Sequence, residues 1–336
     1  MSELRWNPLR QEWVIIATHR MNRVLHPPRD YCPLCPTLPG GFETEIPRPY
    51  FEVAVFENRY PSLHLVPPEP DVAGTELSPV APAGGVCEVV VYTPEHEGSL
   101  ATLSRDRVIQ LIHVWQDRYL EISSREGIRY ILIFENRGPE VGVTLSHPHG
   151  QIYAFPFIPP VPALELASAR AHREKTGRCL FCDLLAEELA DGRRIIMESA
   201  GWVAFVPFAA RYSYEVHLYS RRCLAALTEL HDGEVEELAA MLQEMVACYD
   251  GLFDAPFPYL MILHQAPVQG GDGEERGHLH FKFYSPVRDR NKLKFLAGCE
   301  QGAGTFINDA APEKKAAELR ASLEKVRRGQ DSHDNR

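Results

Sequence analysis

An ordered set of motifs occurs twice along this chain. Cys32-Pro-Leu-Cys35 returns as Cys179-Leu-Phe-Cys182, and Glu88-Val-Val-Val-Tyr92-Thr-Pro-Glu-His96 returns as Glu215-Val-His-Leu-Tyr219-Ser-Arg-Arg-Cys223. Tyr130-Ile-Leu-Ile-Phe134 matches Tyr259-Leu-Met-Ile-Leu263, and His147-Pro-His149 matches His278-Leu-His280. Motifs recurring in one order argue for duplication, which constrains the chain to two copies of one unit. A length of 336 residues agrees, being beyond the usual size of a single core. Between the second and third matches each copy carries an apolar stripe at helical spacing: Val108, Leu111, Ile112, Trp115 and Tyr119, then Val235, Leu238, Leu242, Met245, Val246 and Tyr249. Strand-like runs flank each stripe, at 51–56, 87–92, 129–134 and 151–155 in the first copy and 203–206, 214–219, 259–264 and 280–284 in the second. The fold class expected is therefore α+β: two tandem repeats, each a mainly antiparallel sheet with a long helix packed on it, over residues 1–160 and 161–336.

Proline and glycine mark the connections. Pro27, Pro28, Pro33, Pro36 and Pro39 punctuate the segment around the first cysteine pair, Pro61 to Gly85 reads as a long loop, and Pro156 to Pro162 as the linker between copies. Pro312-Glu313 opens a helix expected to reach about Arg328, with Gln330 to Arg336 as a frayed tail.

A net charge of −11 lacks the basic footprint of a general nucleic-acid or membrane-surface binder, so neither partner is expected. Met1 to Arg20 holds only a short apolar run, Trp13 to Ala17, with no signal peptide or membrane span, and a cytoplasmic enzyme is the expectation. Of eight cysteines, four form the two Cys-x-x-Cys pairs, which in such a chain read as metal ligands before disulfides. Cys87, Cys248 and Cys299 stand outside ligand spacing and read as buried small hydrophobes. Zinc takes four Cys or neutral His donors. The repeat completes one site as Cys32, Cys35, His96 and His147 and a second as Cys179, Cys182, Cys223 and His278.

The double histidine lies in Ser146-His147-Pro148-His149-Gly150-Gln151-Ile152. In a strand, alternate side chains share a face, so His147, His149 and Gln151 point one way. A neutral imidazole can attack phosphorus to form a phosphoramidate that a second acceptor then breaks. With His147 committed to metal, His149 is the candidate nucleophile. Asn136, Thr144 and Gln151 are uncharged donors for phosphate, ribose or leaving-group oxygens. Arg20 and Arg23 form a small cationic cluster suited to phosphate. No P-loop, Rossmann glycine pattern or Gly-x-Ser-x-Gly elbow is present.

These residues resemble the galactose-1-phosphate uridylyltransferase family of the histidine-triad superfamily. The likeness runs from Asn7-Pro8-Leu9 almost to the C-terminus and rests on Cys32-x-x-Cys35, Val55-Phe56-Glu57-Asn58, Thr93-Pro94-Glu95-His96, Phe134-Glu135-Asn136-Arg137-Gly138 and His147-Pro148-His149-Gly150-Gln151. It implies histidine-triad-like repeats and a two-step exchange in galactose metabolism. His149 would attack the α-phosphorus of UDP-glucose, releasing glucose 1-phosphate, and galactose 1-phosphate would take the uridylyl group from the histidine. Gln151 would bond the phosphoryl oxygens, Asn58, Asn136 and Thr144 would contact the nucleotide, and Arg20 and Arg23 would lie near the phosphates. Lys294 and Glu300 would contact the hexose, in a homodimer with shared sites.

The chain departs from the family in places. Thr144 stands where Ser is common, and Phe306 falls where a hexose-contacting Gln is expected. Some members hold a second metal with one Glu and three His; Glu165, His264 and His280 match three positions, but Lys282 takes the fourth, where its charge would repel a cation. Cys179, Cys182, Cys223 and His278 are therefore the favoured second site. A second zinc and a Gly-rich tail containing Ile307-Asn308 also occur in nucleoside-diphosphate-hexose phosphorylases, of which the ADP-glucose type, using phosphate as acceptor, is the alternative reading. The Pro148 and Gly150 flanks favour the transferase. A zinc-stapled interaction protein is the non-enzymatic alternative.

Overall fold

Strands apolar on both faces, such as Val86–Val91 and Trp202–Phe205, need a cover on each side, and the observed architecture supplies both. The computed structural model describes residues 2–22, 31–268 and 276–334. The chain opens with a hairpin, β1 (Ser2–Asn7) and β2 (Glu12–Ala17), whose turn places Gln11 at a φ of 52°. Next come β3 (Ala54–Glu57), β4 (Val80–Pro82), which pairs with β1, and β5 (Val86–Val91). Helix α1 (Arg105–Ser123) follows, begun by the Ser104 side chain accepting from the Arg107 amide at 3.3 Å. Then β6 (Tyr130–Arg137) and β7 (His149–Phe155) complete the first copy.

The second copy begins with a helical pair, α2 (Pro160–Thr176) and α3 (Leu180–Asp191). It continues through β8 (Ile195–Glu198), β9 (Trp202–Phe205), β10 (Val216–Ser220), α4 (Asp232–Phe253), β11 (Tyr259–His264) and β12 (His280–Tyr284). A small hairpin, β13 (Val287–Asp289) and β14 (Lys292–Leu293), precedes α5 (Pro312–Asp334). Nine strands form one sheet in the order β3-β5-β7-β6-β11-β12-β10-β9-β8, with neighbouring strands antiparallel throughout. The expected α+β class of two tandem, mainly antiparallel repeats, each with a long helix packed on it, is borne out, and the two half-sheets fuse through β6 and β11.

One face of this sheet packs under α1, α4 and α5. Trp115, Leu238, Met245, Tyr249, Leu319 and Leu323 join Ile131, Ile133, Ile152, Phe281 and Phe283 in one buried core. Both helical stripes read from the sequence lie there. The opposite face has two covers. In the first copy Leu34, Ile46 and Phe51 pack on Val89 and Val91 of β5 and on Ala54 and Phe56 of the neighbouring β3. In the second, Ala169 of α2 with Phe181 and Leu185 of α3 lie over Val203, Phe205 and Tyr219.

Several expectations are corrected. The repeat alignment slips by one residue: His149 faces Val91 and His280 faces Tyr219, so Tyr219 corresponds to Val91 and not to Tyr92. Likewise Phe134 faces Gln151 while Ile262, not Leu263, faces Lys282. A one-residue slip reverses faces, and Tyr92 lies in the helix-side core while Tyr219 lies beneath α3. Residues 160–162 of the expected linker open α2, since Pro160 at the first helical position already has the right φ and needs no amide bond. The final helix runs to Asp334, past the expected stop and through the lone Gly329, whose cost of about 1 kcal/mol does not break a helix of Lys, Arg, Glu and Leu. Cys299 is exposed, whereas Cys87 and Cys248 are buried as expected.

The seam between copies holds a buried acid. Glu135 of β6 lies opposite Met261 of β11 and accepts from the Tyr259 hydroxyl at 2.6 Å. Arg137 stacks over the Tyr259 ring and pairs with Asp250 at 2.7 Å. Burial raises the Glu135 pKa above its ordinary value, outweighing the bonds from Tyr259 and Tyr92 and the charge of Arg137. The native chain therefore keeps a proton that the unfolded chain releases, and stability present at low pH is lost as pH rises through the interval between the two values. Urea midpoints measured from about pH 4 upward should show this decline, and Glu135→Gln should flatten it. An unchanged slope in that variant would assign the dependence to other groups.

Candidate functional site

Strand β7 sets the site because its alternation divides His149, Gln151 and Tyr153 from Gly150, Ile152 and Ala154. The first set faces away from the helices. Gly150 is required by a close approach: a Cβ there would stand 2.3 Å from the Tyr92 hydroxyl and 3.1 Å from the Phe134 carbonyl. Tyr92 also donates its amide to the Pro148 carbonyl at 3.1 Å, so one residue grips the backbone on both sides of His149. The His149 ring is oriented by Nδ1, which donates to the His147 carbonyl at 2.8 Å. A carbonyl only accepts, so in the neutral ring the lone pair is on Nε2.

His149 and Gln151 border a cleft of about 290 Å³ with Asn58, Thr144 and Tyr60. The rest of its lining is mostly apolar, Tyr31, Pro33, Leu34, Phe56, Val89 and Leu145, with the paired Glu45 and Arg59 beside them. Asn58 Nδ2 donates to Gln151 Oε1 at 3.5 Å while its Oδ1 accepts from the Tyr60 amide at 2.9 Å. A flat aromatic ring fits such a lining, with polar atoms at one end. The sequence reading missed these apolar residues, although Phe56 lies within one quoted motif and Pro33 and Leu34 within another. Nothing in their residue type distinguishes a cleft wall from core.

Both Cys/His sets come together, each with its ligand atoms within 4.8 Å of one another. In the first, His147 Nε2 donates to the Thr93 carbonyl at 2.8 Å, turning Nδ1 toward Cys35 and Cys32 at 3.5 and 3.8 Å. His96 Nδ1 lies 3.4 Å from Cys35 Sγ. In the second, His278 Nε2 donates to the Ser220 carbonyl at 2.8 Å and Nδ1 meets Cys182 Sγ at 3.6 Å. Cys179 caps α3, so Cys182 rises one helical turn later on the same side. A ring nitrogen tied to a carbonyl with the other aimed at thiols is the donor arrangement of a metal-binding histidine. Both clusters thus fit a divalent ion that accepts sulfur and imidazole.

The clusters differ in charge. Burial, with the Cys32 sulfur beside it, pushes Cys35 up to about 12. In the second cluster burial opposes charge, but hydrogen bonds lower Cys179 to about 6 and raise His278 to about 11, whereas Cys182 is raised, its bond to His278 being outweighed by burial and the neighbouring sulfurs. A third set, Glu165, His264 and His280, also converges, with the Lys282 ammonium on the Glu165 carboxylate.

Other expected site residues lie apart from the cleft. Asn136 is one strand over in β6, on the face of Phe134, and does not line it. Arg20 donates to the Tyr60 carbonyl at 2.6 Å and hydrogen-bonds Tyr153, at the cleft's rim. Arg23 lies outside the described residues. Lys294 and Glu300 pair with each other at 2.8 Å in the segment before α5 and do not line the cleft, their side chains almost covered.

Profiles of two galactose-1-phosphate uridyl transferase domains match the chain, the N-terminal domain over residues 1–159 and the C-terminal domain over 165–332. The chain belongs to the galactose-1-phosphate uridylyltransferase family. A relative of that name from Thermotoga maritima is 42% identical over 322 residues, covering 95% of this chain and 98% of the relative. A solved uridylyltransferase structure superposes with a TM-score of 0.85 at 36% identity, covering 96% of this chain and 99% of that one. An ADP-glucose phosphorylase from Arabidopsis thaliana, solved with bound ADP-glucose, superposes at 0.70 with 25% identity, over 95% and 99% of the two chains. Among the described residues, no helix is long and apolar enough to cross a membrane.

The family's double-histidine strand here depends on the glycine between His149 and Gln151. Gly150→Ala should lower stability by about 1–3 kcal/mol through overpacking, read from urea midpoints. Tyr92→Phe in the same chain should recover part of that loss by removing the obstructing hydroxyl. A Gly150→Ala chain as stable as its parent would contradict the close approach.

Proposed function

We propose that the chain exchanges a uridylyl group between UDP-glucose and galactose 1-phosphate in galactose metabolism, through a covalent intermediate on His149. The observation that carries this reading is the His149 ring, pinned through Nδ1 so that Nε2 keeps its lone pair, at a cleft lined by both polar and apolar side chains. In the first step the Nε2–phosphorus bond forms and the bond from phosphorus to the glucose 1-phosphate oxygen breaks, that oxygen leaving with the electron pair. In the second, a phosphate oxygen of galactose 1-phosphate attacks the same phosphorus and the nitrogen leaves with its pair. Gln151, oriented by Asn58, bonds the phosphoryl oxygens as charge builds on them. Asn58, Asn136 and Thr144 contact the nucleotide, whose base lies on the apolar lining. Arg20 and Arg23 serve the phosphates.

Zinc is the metal that the two Cys/His donor sets suit, held by Cys32, Cys35, His96 and His147 and by Cys179, Cys182, Cys223 and His278. Bound there, it supplies a structural brace. His147 then anchors the strand whose next outward side chain is His149. The reading divides the chain into a nucleophile-bearing unit, 1–160, and a unit, 161–336, whose Lys294 and Glu300 contact the hexose. Their absence from the lining of this chain's own cleft supports a homodimer in which each copy completes the other's site. The compartment proposed is the cytoplasm.

Incubation with radiolabelled UDP-glucose should leave uridylyl label on the protein, released by galactose 1-phosphate. Release by phosphate alone would favour the phosphorylase reading suggested by the ADP-glucose phosphorylase likeness, and absence of label would sink both. His149→Gly should reduce turnover by about a thousandfold or more, with metal content unchanged and partial rescue by added imidazole; undiminished turnover would refute the assignment. His147→Ala should lose one metal equivalent per chain and melt lower. Unchanged metal content there would remove His147 from the ligand set.

A further inference from the structure

The strand register equates two sets of side chains that the sequence motifs only half suggest. His149 faces Val91 and Gln151 faces Val89, while His280 faces Tyr219 and Lys282 faces His217. Lys282 therefore holds in the second copy the place that Gln151 holds in the first, and His280 the place of His149. The local chemistry repeats as well. Each ring donates Nδ1 to the carbonyl two residues earlier, at 2.8 Å for His149 and 2.6 Å for His280. Each follows a histidine turned toward cysteines.

What differs is the cover. Beside His149 lies a cleft of about 290 Å³, whereas beside His280 only about 20 Å³ is left, closed by Pro162 and Leu166 of α2 and Phe181 of α3. Helix α2 inserts one charged group there. Glu165 Oε2 lies 3.9 Å from His280 Nε2 and 3.6 Å from His264 Nδ1, and its other oxygen meets the Lys282 ammonium. His280 and Lys282 are almost fully buried while Glu165 is 26% exposed, so the carboxylate arrives from the solvent side. His264 Nδ1, His280 Nε2 and Gln265 Nε2 are buried without an aligned partner.

We propose that the second copy carries a silenced phosphate-binding site, in which the Glu165 carboxylate occupies the position of a substrate phosphate against His280 and Lys282. The proposal rests on the phosphate role assigned above to Gln151, the counterpart of Lys282. A carboxylate and a phosphate share what the Lys282 ammonium recognises, a delocalised anion whose oxygens only accept, while the neighbouring His280, its Nδ1 donating to the His278 carbonyl, keeps its lone pair on Nε2 as His149 does. Lysine in place of glutamine strengthens the preference for an anion. The same three residues also lie at metal-ligand spacing. With the Lys282 ammonium already on the carboxylate, an added cation would meet a like charge in a buried setting.

Glu165→Ala withdraws the internal anion and should open a site for an external one. Titrated with inorganic phosphate by calorimetry, the full-length, metal-loaded variant should bind one phosphate per chain more than the parent. Adding Lys282→Met should weaken that extra binding at least about tenfold. A folded Glu165→Ala chain that binds no more phosphate than the parent overturns the proposal. The near-isosteric Glu165→Gln covers the case in which Glu165→Ala does not fold: its metal content should equal the parent's, and loss of one equivalent per chain would make Glu165 a metal ligand instead. Repeating the phosphate titrations in a His149→Gly background separates this test from the proposed turnover, since neither readout requires catalysis.

Discussion

The structure depends on the antiparallel register of β7 between β5 and β6. That register turns His149 and Gln151 to one side of the sheet and Ile152 and Ala154 to the other. A shift of one residue would bury the imidazole beneath α1 and expose the core. The register is held by side chains specific to it: Gly150 admits the Tyr92 hydroxyl, and Tyr92 in turn bonds Pro148. The His147 carbonyl then orients the His149 ring. Backbone pairing thus determines the protonation geometry of one side chain.

The two copies show how one scaffold serves two ends. Their helix-side cores are continuous, because α1, α4 and α5 pack across a single sheet. Their other faces are independent, and each is covered by what precedes its strands. An irregular, proline-rich segment covers the first and leaves a cleft; a helical pair covers the second and leaves almost none. Each cover carries a Cys-x-x-Cys pair that meets a histidine just before a strand, His147 ahead of β7 and His278 ahead of β12. The Cys/His clusters stand outside the residues that line the cleft, where cover meets sheet.

Much was legible without coordinates, for reasons tied to spacing. The helical stripes of α1 and α4, the strands and the two cysteine pairs follow from local periodicity, which needs no knowledge of the fold. The convergence of Cys32 and Cys35 with His96 and His147 was legible because duplication offered a second instance of the same set. Helix α2 was hidden by its prolines, which resemble a linker until Pro160 is seen at a helix start. The apolar cleft wall was hidden because Leu34, Phe56 and Val89 are ordinary core residues until one side of them is left uncovered.

By itself the sequence determined the α+β class, the duplication, the double-histidine strand and the donor types at both metal clusters, since each is written in local residue pattern. Only the tertiary structure decided which tyrosine sits on which face, that α2 brings Glu165 onto Lys282, and that Lys294 and Glu300 pair outside the cleft lining. Those outcomes depend on strand register and on which segment covers each face. Both are set by contacts between residues far apart in the chain, and a linear pattern does not contain them.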